Sequence, residues 1–449
     1  MRIKNYLLSK IPISFRTIIL GSSVSLLERS LGMLLGMLSV SILARYLGRD
    51  EFGIWAIIGS LGVYIVNLDL GLGNSLRNKL ANLDADQLQK EGPKYFLSIF
   101  QFLFFLSLLL ITTFLIIQTM HGWDTIVKSE SENVSSLGGA VICITFVLLS
   151  CNLPFSIYTS SLFAFQETHL ASLITITQSI CFFIELLVVV HLNLGLIYLV
   201  TANYVNLLVF STFGFIYFLR RRRWKFNRMT YSENLLKIKE LFSKSVLFFI
   251  LSITSIMVFT IPPLIVNAIS NIGMAGDFSL FQKLFMFLIP IHFALLTPLW
   301  SAYTIHAAQN DWEWVKKTLA LSTLFTIVYF LISISLIIIM GNQIIYIWTG
   351  RSFSNNLYLR IILGGWTLLY GFCINFGVFL NGINKLKIQA ILWIGGALVI
   401  IPLSYYFGIN YGTLGVPLAG IIIMLPIATI LSVESFKTIH RNTISNYTK

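Results

Sequence analysis

The chain has 449 residues, of which 56% are hydrophobic and only 11% are Asp, Glu, Lys or Arg, against about 25% charged in a soluble domain. That deficit excludes an ordinary soluble fold, and apolar runs recurring from end to end exclude a soluble domain on a single anchor. The formal net charge of +13 reads as Lys and Arg gathered in cytoplasmic loops, not as a nucleic-acid surface.

About 20 helical residues cross a hydrocarbon core about 30 Å thick. On that measure twelve spans are expected, near 17–46, 52–71, 95–119, 137–164, 169–191, 195–219, 243–268, 277–303, 315–340, 357–380, 387–408 and 411–435. Short turns at 165–168, 192–194 and 409–410 divide neighbouring spans. No cleavable leader is expected, because the first apolar run is long and carries charges. Those charges are Glu28 and Arg29, in the middle of span one. A charge at the bilayer centre costs about 2.5–3.5 kcal/mol, so both are expected to face a protein interior or a wet cavity. Adjacent helical residues point in different directions, so each needs its own partner or water.

Span two closes on Asp69, followed by Gly71, Gly73, Asn74 and Arg77; Asp69 reads as a local cap or as an ion site. The outer stretch from His121 to Glu132 holds Asp124, Glu130 and Glu132, acids that suit sugar chemistry on too short a platform for a polymerase. Span four contains Asn152 and is interrupted by Pro154. Glu185 in span five is a candidate proton or cation site, and Asn203 and Asn206 are polar positions in span six. RRRRWK, Arg220 to Lys225, lies at the midpoint and reads as a linker touching anionic lipid. Pro262-Pro263 is expected to break span seven, where Asn267 also lies. Span eight carries Lys283, which snorkels outward or enters a cavity, with His292, Pro290 and Pro298; Asn375 follows in span ten. Cys143, Cys151, Cys181 and Cys373 sit in apolar runs and read as packed thiols, with no disulfide or zinc spacing.

With the N-terminus inside and alternating spans, most of the 31 basic residues fall on the inner side. Only Arg45, Arg49, Lys128, Arg351 and Arg360 fall outside, and Arg29 and Lys283 within spans. That asymmetry predicts an even number of spans with both ends in the cytoplasm. YLGRDEFGIWAI (Tyr46 to Ile57) and NIGMAGDFSLFQKL (Asn271 to Leu284) are weakly alike, half a chain apart, and each follows an odd-numbered span. Two parallel six-helix halves are therefore expected: residues 1–219 and 243–449, joined by a basic linker over 220–242. No GxxxxGK[ST] loop is present, so ATP hydrolysis is not expected, and the chain reads as a carrier and not an enzyme.

ARYLGRDEFGIWAI (Ala44 to Ile57), DLGLGNSLRNKLA (Asp69 to Ala81) and PLWSAYTIHAAQNDWEWVKKTL (Pro298 to Leu319) resemble bacterial polysaccharide-biosynthesis membrane proteins, the O-antigen and oligosaccharide-lipid flippases. These belong to the multidrug, oligosaccharidyl-lipid and polysaccharide exporter superfamily. The resemblance implies an all-α integral membrane protein, with two six-helix bundles forming a V around a central cavity. It implies a cargo of an oligosaccharide repeat unit on polyprenyl diphosphate, moved across the bacterial inner membrane. It further implies polymerase and chain-length machinery as partners, no nucleic acid, and no cofactor or metal. Arg29 is the expected diphosphate ligand because guanidinium is a fixed bidentate donor fork. Arg45, Arg49 and Lys283 are expected to receive the headgroup further out, and Glu28, Asn152 and Asn203 to line the passage. Glu28, Asp69 and Glu185 are the candidates for coupling to protons or Na⁺. The alternatives are a cation-coupled multidrug antiporter and a membrane-embedded polysaccharide polymerase or ligase.

Overall fold

The computed structural model describes residues 13–81, 83–120, 122–123, 127, 131–165, 167–224, 230–350, 357–383 and 385–447. His121, Asp124, Lys128, Glu130, Lys225 and Arg351, like the basic residues of the first twelve positions, lie outside the described residues.

The described chain is all helical. In order, the helices are α1 (Ile13–Tyr46), α2 (Arg49–Val66), α3 (Leu72–Ala81), α4 (Ala85–Met120), α5 (Glu132–Asn152), α6 (Ile157–Ala164), α7 (Thr168–His191) and α8 (Gly195–Arg222). They continue with α9 (Tyr231–Ile269), α10 (Ile272–Met286), α11 (Leu288–Ala308), α12 (Trp312–Thr349), α13 (Leu357–Gly382), α14 (Leu386–Tyr411) and α15 (Gly415–Tyr447). Among the described residues nine helical stretches are long and apolar enough to cross a membrane, and one of them, Lys387–Thr443, takes in both α14 and α15. In hydrocarbon a helix satisfies its own backbone groups, which is why the apolar runs become helices.

The chain divides into two compact units. One holds the described residues up to Leu47 with Leu61–Ser252; the other holds Gly48–Ser60 and the described residues from Ile253 on. The start of α2 therefore belongs with the C-terminal half of the sequence. In the first unit α1 packs on α7, α5 on α8, and α3 on α6. Leu72, Leu76 and Leu80 of α3, Phe96 of α4, Tyr158 of α6 and Phe218 of α8 share one core. The α3 helix was not expected as a separate element. Its buried leucines recur every four residues while Asn74, Arg77 and Asn78 are exposed, the pattern of an amphipathic helix.

Inside 220–242, helix occupies most of the expected linker. Arg223 ends α8 with a left-handed φ of 50°, Trp224 is buried in the same core, and α9 starts at Tyr231. Pro154 does separate α5 from α6. Pro262 and Pro263, expected to break span seven, instead lie within an unbroken α9. The physical reason is local. Proline 263 cannot donate to the Phe259 carbonyl one turn earlier, and the Gln282 side chain of α10 donates to that carbonyl at 3.0 Å in its place.

Candidate functional site

In α1 the Glu28 side chain is half-buried and Arg29 is exposed. Among the described residues neither forms an ion pair. Glu28 lies within electrostatic reach of the Tyr158 hydroxyl on α6. Among the described residues no acidic side chain holds the Arg29 guanidinium. Arg45, exposed at the end of α1, precedes Tyr46, whose hydroxyl accepts from Gly195 N at 2.8 Å.

Asp69 lies in the turn between α2 and α3. Its two carboxylate oxygens accept from Gly71 N at 2.9 Å and Gly73 N at 3.1 Å, close to the start of α3, where a carboxylate also suits the helix dipole. Leu70 and Gly71 both have positive φ, 55° and 73°, so the chain folds back sharply enough to bring the carboxylate over its own amides. A Cβ on Gly73 would sit 2.7 Å from Ser160 Oγ and 2.9 Å from Asp69 Oδ2, so one of these side chains would have to shift to admit it. Asn67, Asp69, Asn74, Ser160 and Phe249 line a cavity of about 140 Å³. Asp69 thus fulfils the local-capping expectation and also borders a polar cavity within the first unit.

Glu185 on α7 accepts from Asn206 Nδ2 on α8 at 3.0 Å. Asn203, half-buried, lies one turn before Asn206 on the same helix. Asn152, at the end of α5, is buried, and among the described residues its Oδ1 has no hydrogen-bond partner.

The two related segments of sequence meet in the second unit. A Cβ on Gly53 would lie 2.1 Å from the Ile272 carbonyl oxygen, and one on Gly276 would lie 3.0 Å from Gly53 Cα; α2 and α10 cross backbone to backbone. Beside the crossing, Arg49 donates to Asp277 Oδ2 from Nε at 2.9 Å and from a terminal nitrogen at 2.6 Å. That carboxylate holds one edge of the guanidinium expected to receive a headgroup. Asp277 was not singled out from the sequence; its position in GDF, opposite RDEF in the related segment, was the available signal. Lys283 stands with Nζ 5.7 Å from the centre of the Phe52 ring, and among the described residues it forms no ion pair.

Other cations are already engaged. Arg360, assigned from sequence to an outer segment, is only 3% exposed. It donates to the Ile338 carbonyl at 2.7 Å and packs over Gly341, where a Cβ would come within 2.9 Å of its stem. Glu167 takes Arg222 at 2.7 Å and Arg221 at 3.2 Å. Lys79 pairs with Glu240 at 2.6 Å, and Tyr95 donates to the same carboxylate. These donors hold the Glu240 carboxyl below its ordinary range, while the Glu240 hydrogen bond raises the Lys79 ammonium. Among the described residues no group of His, Cys, Asp and Glu is arranged to hold a metal.

Residues 19–303 match the family described as "Polysaccharide biosynthesis protein". A protein of Salmonella typhi described as "Putative O-antigen transporter" is 23% identical over 388 residues, covering 85% of this chain and 87% of that protein. Two solved structures share the fold. An inward-facing multidrug resistance MATE family transporter of the MOP superfamily superposes with a TM-score of 0.73 at 15% identity, covering 92% of this chain and 95% of the other. The lipid II flippase MurJ, in an inward closed conformation, gives 0.69 at 17% identity, covering 95% and 91%.

Proposed function

The chain belongs to the polysaccharide biosynthesis protein family, and from that premise we propose that it is a flippase for an oligosaccharide repeat unit carried on polyprenyl diphosphate. The carrier takes the headgroup from the inner leaflet and delivers it to the outer one by alternating access. The observation that carries this reading is Arg29: a guanidinium halfway along an apolar helix, unpaired among the described residues. A diphosphate does not cross hydrocarbon unaided, whereas the lipid tail remains in the bilayer while the head passes through protein. The O-antigen transporter relative supports the cargo class.

The finer architecture is part of the same proposal. Twelve crossings follow when α2 and α9 are added to the nine apolar stretches and α14 and α15 are counted separately. Two six-helix bundles in a V about a central cavity, with both ends in the bacterial cytoplasm, accord with the shared fold and with the basic residues of the inner loops. Arg45, Arg49, Lys283, Asn152 and Asn203 remain secondary contacts in this reading, and Glu28, Asp69 and Glu185 supply the coupling candidates. Each negative charge moving outward across an inside-negative membrane gains about 2.3 kcal/mol per 100 mV, so the cycle needs no nucleotide.

The test is translocation in vesicles of purified protein loaded with a defined polyprenyl-diphosphate oligosaccharide. Protein-dependent appearance of the sugar on the opposite leaflet is expected. Its absence, together with resistance of overexpressing cells to cationic dyes, would replace the flippase with the antiporter reading.

A further inference from the structure

The cavity beside Asp69 deepens the flippase reading and rests on it. It lies wholly within the first unit. Asn67, Asp69, Asn74 and Ser160 supply its polar atoms, and Phe249 of α9 supplies an aromatic wall. The backbone fixes the carboxylate in place. Leu70 and Gly71, with φ of 55° and 73°, turn the chain so that each Asp69 oxygen accepts one amide, from Gly71 and from Gly73. Ser160 Oγ and Asp69 Oδ2 lie 2.7 and 2.9 Å from the point that a Cβ on Gly73 would occupy, so the two converge closely enough for one hydroxyl group to bond both.

Size and charge narrow the occupant. A volume of about 140 Å³ is well short of the roughly 300 Å³ at which pockets begin to enclose a drug-sized ligand. It leaves room for one sugar ring and not for a repeat unit. Among the described residues lining it there is no Lys or Arg, and a carboxylate repels phosphate, so the diphosphate goes elsewhere. The lining is rich in acceptors. A carboxylate offers about four lone-pair sites and no donor, and the two amides use only part of them. Asn67 Nδ2 donates to its own helix, at the Val63 carbonyl, at 2.8 Å, which leaves its Oδ1 as an acceptor. Asn74 brings an amide and Ser160 a hydroxyl, each able to donate or accept. The complement is a small uncharged molecule with several O–H donors and one apolar face. A sugar ring has both, because its C–H face presents the positive hydrogens that suit the negative face of an aromatic ring.

We propose that this cavity is a monosaccharide subsite of the carrier: one uncharged sugar ring of the lipid-linked cargo seats there, its hydroxyls bonded by Asn67, Asp69, Asn74 and Ser160 and its C–H face resting on Phe249. The site belongs to loading. The adjoining α3 carries Arg77 and Lys79, basic residues that mark the inner side, where the carrier meets its cargo. Two tasks are thereby divided. Cations elsewhere on the carrier attract the diphosphate that all such lipids share, while a cavity that reads hydroxyls selects the sugar. Selection of this kind is strong because a ligand lacking the hydroxyl leaves the polar groups of the site unpaired. In this role Asp69 accepts hydrogen bonds and carries no coupling ion.

The experiment measures binding to the purified full chain in vesicles. The lipid probes are polyprenyl diphosphate alone and the same lipid carrying one hexose, one 6-deoxyhexose or one N-acetylhexosamine. The methyl glycosides of the three sugars are tested separately by saturation-transfer NMR. At least one glycosylated lipid should bind more tightly than the bare lipid, and its methyl glycoside should give a transfer signal. Asn74→Ala and Ser160→Ala should each weaken that lipid roughly three- to tenfold, the loss of one hydrogen bond, and leave the bare lipid unchanged. Asn74 is exposed, so its replacement does not disturb the core. Equal affinity for the bare and all glycosylated lipids, with no glycoside signal, overturns the proposal, and the cavity then holds water alone. A loss of affinity for the bare lipid as large as for the glycosylated one also overturns it, since the variants then act on the fold or on the diphosphate. A transfer signal from tetramethylammonium and from none of the glycosides assigns the cavity to cations and overturns it as well. A wild type that binds the glycosides but no polyprenyl lipid defeats the flippase reading and leaves the sugar site standing.

Discussion

Replacing Gln282 by Met tests how α9 runs unbroken through two prolines. Met keeps the length of the side chain and removes its N–H. The Phe259 carbonyl, already without a helical donor because of Pro263, then loses the 3.0 Å bond from Gln282 Nε2. Gln282 is 6% exposed, so water does not readily replace it, and a buried acceptor left unpaired costs about 1–3 kcal/mol. For a domain of 150–250 residues each kcal/mol shifts the melting temperature by about 2–4 °C, so a fall of several degrees is expected in a thermal melt of the purified protein in detergent. The double variant isolates the cause. Pro263→Ala restores a backbone N–H to the Phe259 carbonyl, so Gln282→Met should cost much less in that background, with a coupling of about 1 kcal/mol or more between the two positions. Equal costs in both backgrounds would sink the account, since the side chain would then matter for packing alone.

Gly53→Ala should destabilise more than Gly59→Ala on the same helix. The first methyl meets the Ile272 carbonyl oxygen at 2.1 Å, and the second meets nothing within 4 Å. Overpacking costs about 1–3 kcal/mol, while an exposed Gly→Ala in a helix gains up to about 1 kcal/mol; melting temperatures of the two proteins give the sign. Arg29→Ala should abolish surface polysaccharide in cells at normal protein level and Arg29→Lys should preserve it only in part; normal polymer in Arg29→Ala removes the residue from the mechanism. Glu240→Gln should flatten the acid side of the stability profile. The Glu240 carboxyl is depressed by Lys79 and Tyr95, so its contribution is complete above the ordinary carboxylate range and is lost as pH falls through the lowered value. Both partners are substantially exposed, so the effect is that of a screened pair, about 1 kcal/mol at most; a variant whose melting temperature falls on acidification as steeply as the wild type contradicts the assignment.

Much of the helix framework was readable in one dimension. Apolar runs of membrane length need no partner to be recognised, because hydrocarbon forces the backbone to bond within its own segment. The breaks at Pro154 and at Leu192–Leu194 follow for the same reason, since proline and short polar stretches interrupt that bonding. Glu28, Arg29, Asp69, Glu185 and Lys283 also stood out, as charges in apolar surroundings must. What each charge meets depended on segments far away in the chain. Asp277 reaches Arg49 across 228 positions, Asn206 reaches Glu185 across 21, and Gln282 repairs the backbone of Phe259 across 23. Local pattern marks a residue as costly to bury, but only folding chooses the neighbour that offsets the cost. The start of α2 shows the same division: its composition foretold a helix, while the glycine contact that sets it against α10 exists only where two distant backbones come together.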